Sequence, residues 1–119
     1  MSCLFDSIGK FLNIDGFTIR QKICDYLESN APIIEGLDTK LILDSEDPQY
    51  LLKMRHPLVF GGANEIKVAT IIWSLRILVY INPEMTKYIE FQPICGDYRY
   101  TIRLSYQNNN HYEPIMNVF

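Results

Sequence analysis

Three residues have the types and spacing to do covalent chemistry together: Cys3, His111 and Glu113. A thiol reacts as its thiolate. In the first turn of a helix it meets the positive end of the macrodipole and unpaired backbone N–H groups, which favour that form. An imidazole can take the thiol proton and later give it to a leaving group. A carboxylate two residues further along a strand shares its face and can orient the ring. Such a set is that of a cysteine hydrolase acting on a carbonyl. Each residue also has a plainer reading: Cys3 as a buried, apolar-like core residue, His111 as a solvated turn residue beside Asn108, Asn109 and Asn110, and Glu113 as an ordinary surface acid.

The other reactive side chains point elsewhere. Cys24 sits beside Ile23 on an apolar helix face and reads as core packing. Cys95 lies in a loop with Gly96 and Asp97, one strand away from His111, a separation that would allow the two to pair, but it belongs to no motif. His56, before Pro57, has no nameable partner and reads as a surface or locally satisfied residue. Three cysteines at wide, irregular spacing form neither a disulfide framework nor a CxxC metal site, which suits a reducing compartment. Neither histidine has a Cys or His partner at ligand spacing, so no metal and no cofactor is expected.

To bring Cys3 to His111 the chain must fold its two ends together. Leu4, Phe5, Ile8, Phe11 and Leu12 recur at helical spacing over Ser2 to Leu12, which places Cys3 in the first turn. After a turn-like break at Asn13 to Gly16, Ile19, Ile23, Tyr26 and Leu27 mark a second amphipathic helix ending near Asn30. Ile33 to Glu46 mixes apolar and acidic residues without a clean period and is expected to be a loop or irregular element. Asp47 and Pro48 form an N-cap and N1 pair for a short helix over Gln49 to Met54, closed by Pro57. Gly61 and Gly62 make a flexible turn. Asn64 and Glu65 then cap a helix whose apolar face is Ile66, Ala69, Thr70 and Trp73. Arg76 to Ile81 reads as a buried strand closed by Asn82 and Pro83, and Lys87 to Phe91 as a second strand. Tyr98 to Tyr106 alternates Ile102, Leu104 and Tyr106 against Thr101, Arg103 and Ser105. A polar turn over Gln107 to Asn110 leads to a last strand, His111 to Val118, weakened by Pro114. Trp73, Phe60 and the tyrosines read as core and sheet surface. Helices first and strands last predict a single α+β domain over residues 1–119, with helices packed on a small, mainly antiparallel sheet.

The totals agree with that size. The chain has 119 residues, of which 48% are hydrophobic, enough for a core of its own. A net charge of −3 leaves no basic stripe to neutralise phosphates, so nucleic acid is not an expected partner. No apolar run approaches the roughly 20 residues of a membrane span. Residues near Met1 lack the layout of a secretory signal, and with the cysteine usage this leads us to expect a cytoplasmic protein.

Together the pieces resemble the ovarian-tumour (OTU) family of cysteine proteases. Ser2-Cys3-Leu4-Phe5-Asp6-Ser7-Ile8 is similar to its nucleophile motif. Thr18-Ile19-Arg20, the Met54-Arg55 pair, Phe60-Gly61-Gly62-Ala63-Asn64-Glu65-Ile66 with Ala69, the strand Ile77 to Ile81, and Asn110-His111-Tyr112-Glu113 follow in the family's order. The resemblance covers nearly the whole chain. It implies a papain-like site with Cys3 as nucleophile, His111 as general base and Glu113 orienting the imidazole. It also implies a deubiquitinating activity, cleaving the isopeptide or peptide bond at the C-terminus of ubiquitin or a ubiquitin-like modifier. Glu35, Asp38, Asp44 and Glu46 lie where the family's variable ubiquitin-facing segment sits and are candidates to meet a basic surface.

Two departures qualify this picture. The family has an Asp-Gly pair ahead of the cysteine, whose loop supplies one oxyanion N–H, where here only Met1 and Ser2 stand before Cys3, so that half of the oxyanion hole is either lacking or trimmed from the sequence. Loss of one such donor costs on the order of 10²- to 10³-fold in rate. An alternative expectation is therefore a catalytically inactive OTU-like module that binds ubiquitin or another protein, or serves a structural part. Glu113 stands where the family has Asp or Asn, and must fold back by one methylene to reach the ring. The richness in Ile, Asn, Tyr and Lys, in so compact a chain, fits a viral protein acting in host cytoplasm.

Overall fold

In a computed structural model that describes residues 3–108 and 111–116, five helices precede four strands. Helix α1 is Cys3–Leu12 and α2 is Gly16–Glu28; they pack side by side. Asp15 starts α2 by accepting from the backbone N–H and the hydroxyl of Thr18, both at 2.8 Å. Helix α4 is Tyr50–Met54, α5 is Ala63–Trp73, and the strands are β1 Leu75–Tyr80, β2 Tyr88–Phe91, β3 Tyr100–Gln107 and β4 His111–Pro114.

Residues 33–46 are not irregular throughout: Thr39–Glu46 forms helix α3. Its stripe is narrow, with Thr39 and Leu43 buried and Leu41 exposed, so the helical period is faint in the sequence. Asp47 does not cap α4. It ends α3, its backbone N–H donating to the Leu43 carbonyl, while its carboxylate accepts from the Gln49 N–H and α4 starts at Tyr50. Helix α5 begins two residues earlier than Asn64 suggests. Gly62 is its N-cap, and the Glu65 carboxylate reaches back to the Gly62 N–H at 2.7 Å.

The sheet order is β2-β1-β3-β4. Its two outer pairings are antiparallel and its central pairing, β1 with β3, is parallel. The sequence expectation of a mainly antiparallel sheet thus holds for two of three pairs. The parallel one arises because β2 folds back on the far edge of β1 and the chain returns to the opposite side. Leu75, Ile77, Val79, Ile102 and Leu104 turn toward the helices and join Phe5, Ile8, Ile19, Ile23 and Ile66 in one contiguous core. Each such side chain contributes about 1.5–3 kcal/mol by leaving water.

The opposite face is polar and aromatic. Arg76 pairs with Glu90, and the Tyr80 and Tyr88 rings meet edge-on at 5.4 Å. Phe60, by contrast, is exposed rather than part of the core. Of the last expected strand, His111 to Pro114 is formed, while residues 117 and 118 lie outside the described residues. Among the described residues no helix is long and apolar enough to cross a membrane.

Candidate active site

Cys3 opens α1 and is half-buried. Behind it Leu4, Phe5 and Ile8 are buried and hold the helix against the core. Two further segments lock that grip. The Arg20 guanidinium lies 4.3 Å from the centre of the Phe5 ring, and Arg20 donates to the carbonyls of Met54 at 2.7 Å and Val59 at 2.8 Å. Arg20 is 1% exposed, so one buried cation ties α2 to the loop after α4 and supports the ring that seats α1.

Gly61 closes the loop onto the same ring. A β-carbon there would come within 2.7 Å of Phe5 Cζ and 2.8 Å of Leu4 Cδ2. Gly61 is thus a packing requirement rather than part of a flexible turn, while Gly62 serves as the N-cap of α5. Glu65, fully buried in α5, accepts from Gly62 and from the Tyr50 hydroxyl at 2.5 Å. Burial pushes the Glu65 carboxyl above its ordinary value, the two donors partly opposing it, and burial likewise raises the Tyr50 phenol.

Strand β4 carries the imidazole. His111 Nε2 and Glu113 Oε1 are 3.0 Å apart, and the two side chains are 45% and 57% exposed. Register explains the meeting. His111 pairs with Gln107 and Glu113 with Ser105, so both project to the polar face, two residues apart on one strand. Tyr112 between them turns the other way. Its ring packs on Tyr106 with centroids 4.6 Å apart, and burial pushes its phenol up to about 12.

The outer edge of β4 faces α1 rather than another strand. Ile115 donates to Arg103 at 2.9 Å, so the alternate residues of β4, 111, 113 and 115, bond toward β3 and Tyr112 presents its carbonyl to the outer edge. There Ser7 Oγ lies 3.2 Å from the Tyr112 carbonyl and 2.6 Å from the Cys3 carbonyl. The head of α1 and the middle of β4 are joined through one hydroxyl.

The chain ends that hold Cys3 and His111 are therefore adjacent, 108 residues apart in sequence though they are. The Glu113 side chain reaches the ring despite its extra methylene. The other candidates lie elsewhere. Cys24 is buried in α2, and burial pushes its thiol up to about 11. Cys95 is exposed in the loop after β2, 3.8 Å from the Asp97 carbonyl. His56 Nδ1 accepts from the Leu58 N–H at 3.1 Å, a local turn contact. Glu35, Asp38, Asp44 and Glu46 are exposed on and before α3. Among the described residues no group of three or more His, Cys, Asp or Glu could hold a metal ion.

Sequence reasoning assigned no role to Ser7. The available signal was a serine set among Leu4, Phe5 and Ile8 on the buried side of α1, a place where a hydroxyl needs a partner.

The sequence matches no protein-family model and no curated protein. The structure matches that of the OTU domain of OTUD1, with a TM-score of 0.65 and 17% sequence identity, covering 98% of this chain and 79% of that one. This chain has the fold of an OTU domain. The expected α+β arrangement of helices on a small sheet stands with it. At 17% identity the likeness shows the fold, and the chemistry rests on this chain's own side chains.

Proposed function

We propose that the chain is a deubiquitinating cysteine hydrolase of OTU type. The observation that carries this reading is the His111–Glu113 pair on a strand whose outer edge is pinned by Ser7 to the head of the Cys3 helix. With Nε2 engaged by Glu113, Nδ1 is the nitrogen left to serve the thiol. His111 takes the Cys3 proton, and Sγ attacks the carbonyl carbon of the C-terminal glycine of ubiquitin. The carbonyl oxygen becomes an oxyanion facing the N–H groups at the start of α1. When the C–N bond breaks, His111 gives the proton to the departing lysine amine, leaving a thioester. Water, losing a proton to His111, then releases ubiquitin and restores the thiol. The exposed acids Glu35, Asp38, Asp44 and Glu46 would meet a basic face of ubiquitin or a ubiquitin-like modifier.

The test is capture by a ubiquitin probe with a thiol-reactive C-terminal electrophile, read as the mass of a covalent adduct. The adduct is expected with the wild-type chain and with Cys95→Ser, and is lost in Cys3→Ala. An adduct that survives Cys3→Ala overturns the assignment of the nucleophile. Binding without any adduct overturns catalysis in favour of a ubiquitin-binding module, and neither binding nor adduct overturns both.

A further inference from the structure

We infer that Ser7 is a positioning residue for the proposed reaction, setting the spacing between the nucleophile and its base; the inference rests on the function proposed above. The Ser7 side chain is 3% exposed and its hydroxyl contacts two carbonyls at once, Cys3 at 2.6 Å and Tyr112 at 3.2 Å. A hydroxyl has one proton, so the two contacts share it. Within a helix, a serine bond to the carbonyl four residues back is common and usually local. Here its second acceptor is 105 residues away, on the strand that bears the base.

The consequence is geometric. Cys3 is the residue whose carbonyl Ser7 holds, so the backbone from which Sγ projects is fixed. The Tyr112 carbonyl lies in the peptide plane shared with Glu113, so holding it steadies the backbone that aims Glu113, and through the Glu113–His111 contact the imidazole. Tyr112 O is also an edge group with no neighbouring strand among the described residues, and the Ser7 hydroxyl lies within reach of it. The β3 ladder and the packing of Tyr112 on the core hold β4 in the sheet, and the Ser7 hydroxyl adds a direct bond from that strand to α1 whose loss loosens their relative placement. The base would drift relative to the thiol, and a shift of about 1 Å at a reacting pair can cost on the order of 10²-fold.

The experiment compares Ser7→Ala and Ser7→Thr with the wild type on ubiquitin carrying a fluorogenic C-terminal amide, with folding checked by thermal denaturation. Ser7→Ala is expected to lower kcat by roughly ten- to a hundredfold with KM unchanged, because substrate binding is not touched. Ser7→Thr, which keeps the hydroxyl, is expected to recover most of the rate. Capture by the electrophilic probe then gives a double-mutant cycle: Ser7→Ala should slow the wild type but add little in a His111→Ala background. Unchanged kcat in Ser7→Ala overturns the inference, as does a loss that multiplies fully with that of His111→Ala, the result of a merely structural role. A wild-type chain that neither turns over nor is captured overturns the proposed function itself, a failure visible before any Ser7 variant is made.

Discussion

Two polar regions flank helix α1, and they are built in opposite ways. On one side Arg20 and Glu65 are buried and fully engaged. The cation is spent on backbone carbonyls and a ring, the carboxylate on one N–H and one phenol. On the other side His111 and Glu113 are about half exposed, bonded to each other and open to solvent. Buried groups with every partner inside the protein can only hold structure, because nothing arriving from outside can reach them. A half-exposed pair can be reached from outside, and its imidazole can exchange a proton with a molecule that docks there. Helix α1, with Cys3 at its head, lies between the two, gripped by the first region and packed along the strand that carries the second.

The contrast can be broken from its open side first. His111→Ala should cut turnover of the fluorogenic ubiquitin substrate by about 10²- to 10⁴-fold, the usual worth of a positioned general base. The urea midpoint should move little, since the ring is about half exposed and its partner Glu113 is a solvated carboxylate. A large drop in stability would show that His111 holds structure instead.

Breaking the buried side should do the reverse. Arg20→Met leaves the Met54 and Val59 carbonyls without their donor and removes the cation from Phe5. Urea unfolding should then show a loss of about 3 kcal/mol or more. Activity per folded molecule should change far less than stability, and a variant of unchanged stability would refute the clamp.

Glu65→Gln sharpens the comparison through pH. Glutamine cannot accept from both Gly62 and Tyr50 with the same two oxygens, so near neutrality the variant should lose about 1–2 kcal/mol. Burial raises the Glu65 pKa in the folded chain above its ordinary 4.5, against the usual trend for a bonded carboxylate. The folded state therefore binds this proton more tightly than the unfolded state. Its contribution to stability is greatest below pH 4.5 and declines as pH rises through the window above it. The stability difference between wild type and Glu65→Gln should accordingly narrow as pH is raised from 4 toward neutrality, as urea titrations at a series of pH values would show. A difference that widens over that range would mean that the two donors, not desolvation, dominate this site.

Much of this was legible in the residues. The stripe of Leu4, Phe5 and Ile8 foretold α1 and the place of Cys3. The alternation Ile102, Leu104 against Thr101, Arg103 foretold β3, because a half-buried strand must sort its side chains at a period of two. His111 and Glu113 could be paired in advance for the same reason. Helix α3 was not legible, since only Thr39 and Leu43 are buried along its length. Gly61 read as a flexible turn because its neighbours, Leu4 and Phe5, are more than fifty positions away.

Local rules of period and capping thus set, from the order of residues, which segments coil, which extend, and which reactive side chains each one carries. Those rules act over a few residues, and that is their reach. The parallel pairing of β1 with β3, the meeting of α1 with the edge of β4, and the sharing of one Ser7 proton between Cys3 and Tyr112 all join positions far apart in the chain. Such contacts exist only once the core has closed, because the burial of Phe5, Ile77 and Leu104, not any nearby residue, fixes where the two ends of the chain come to rest.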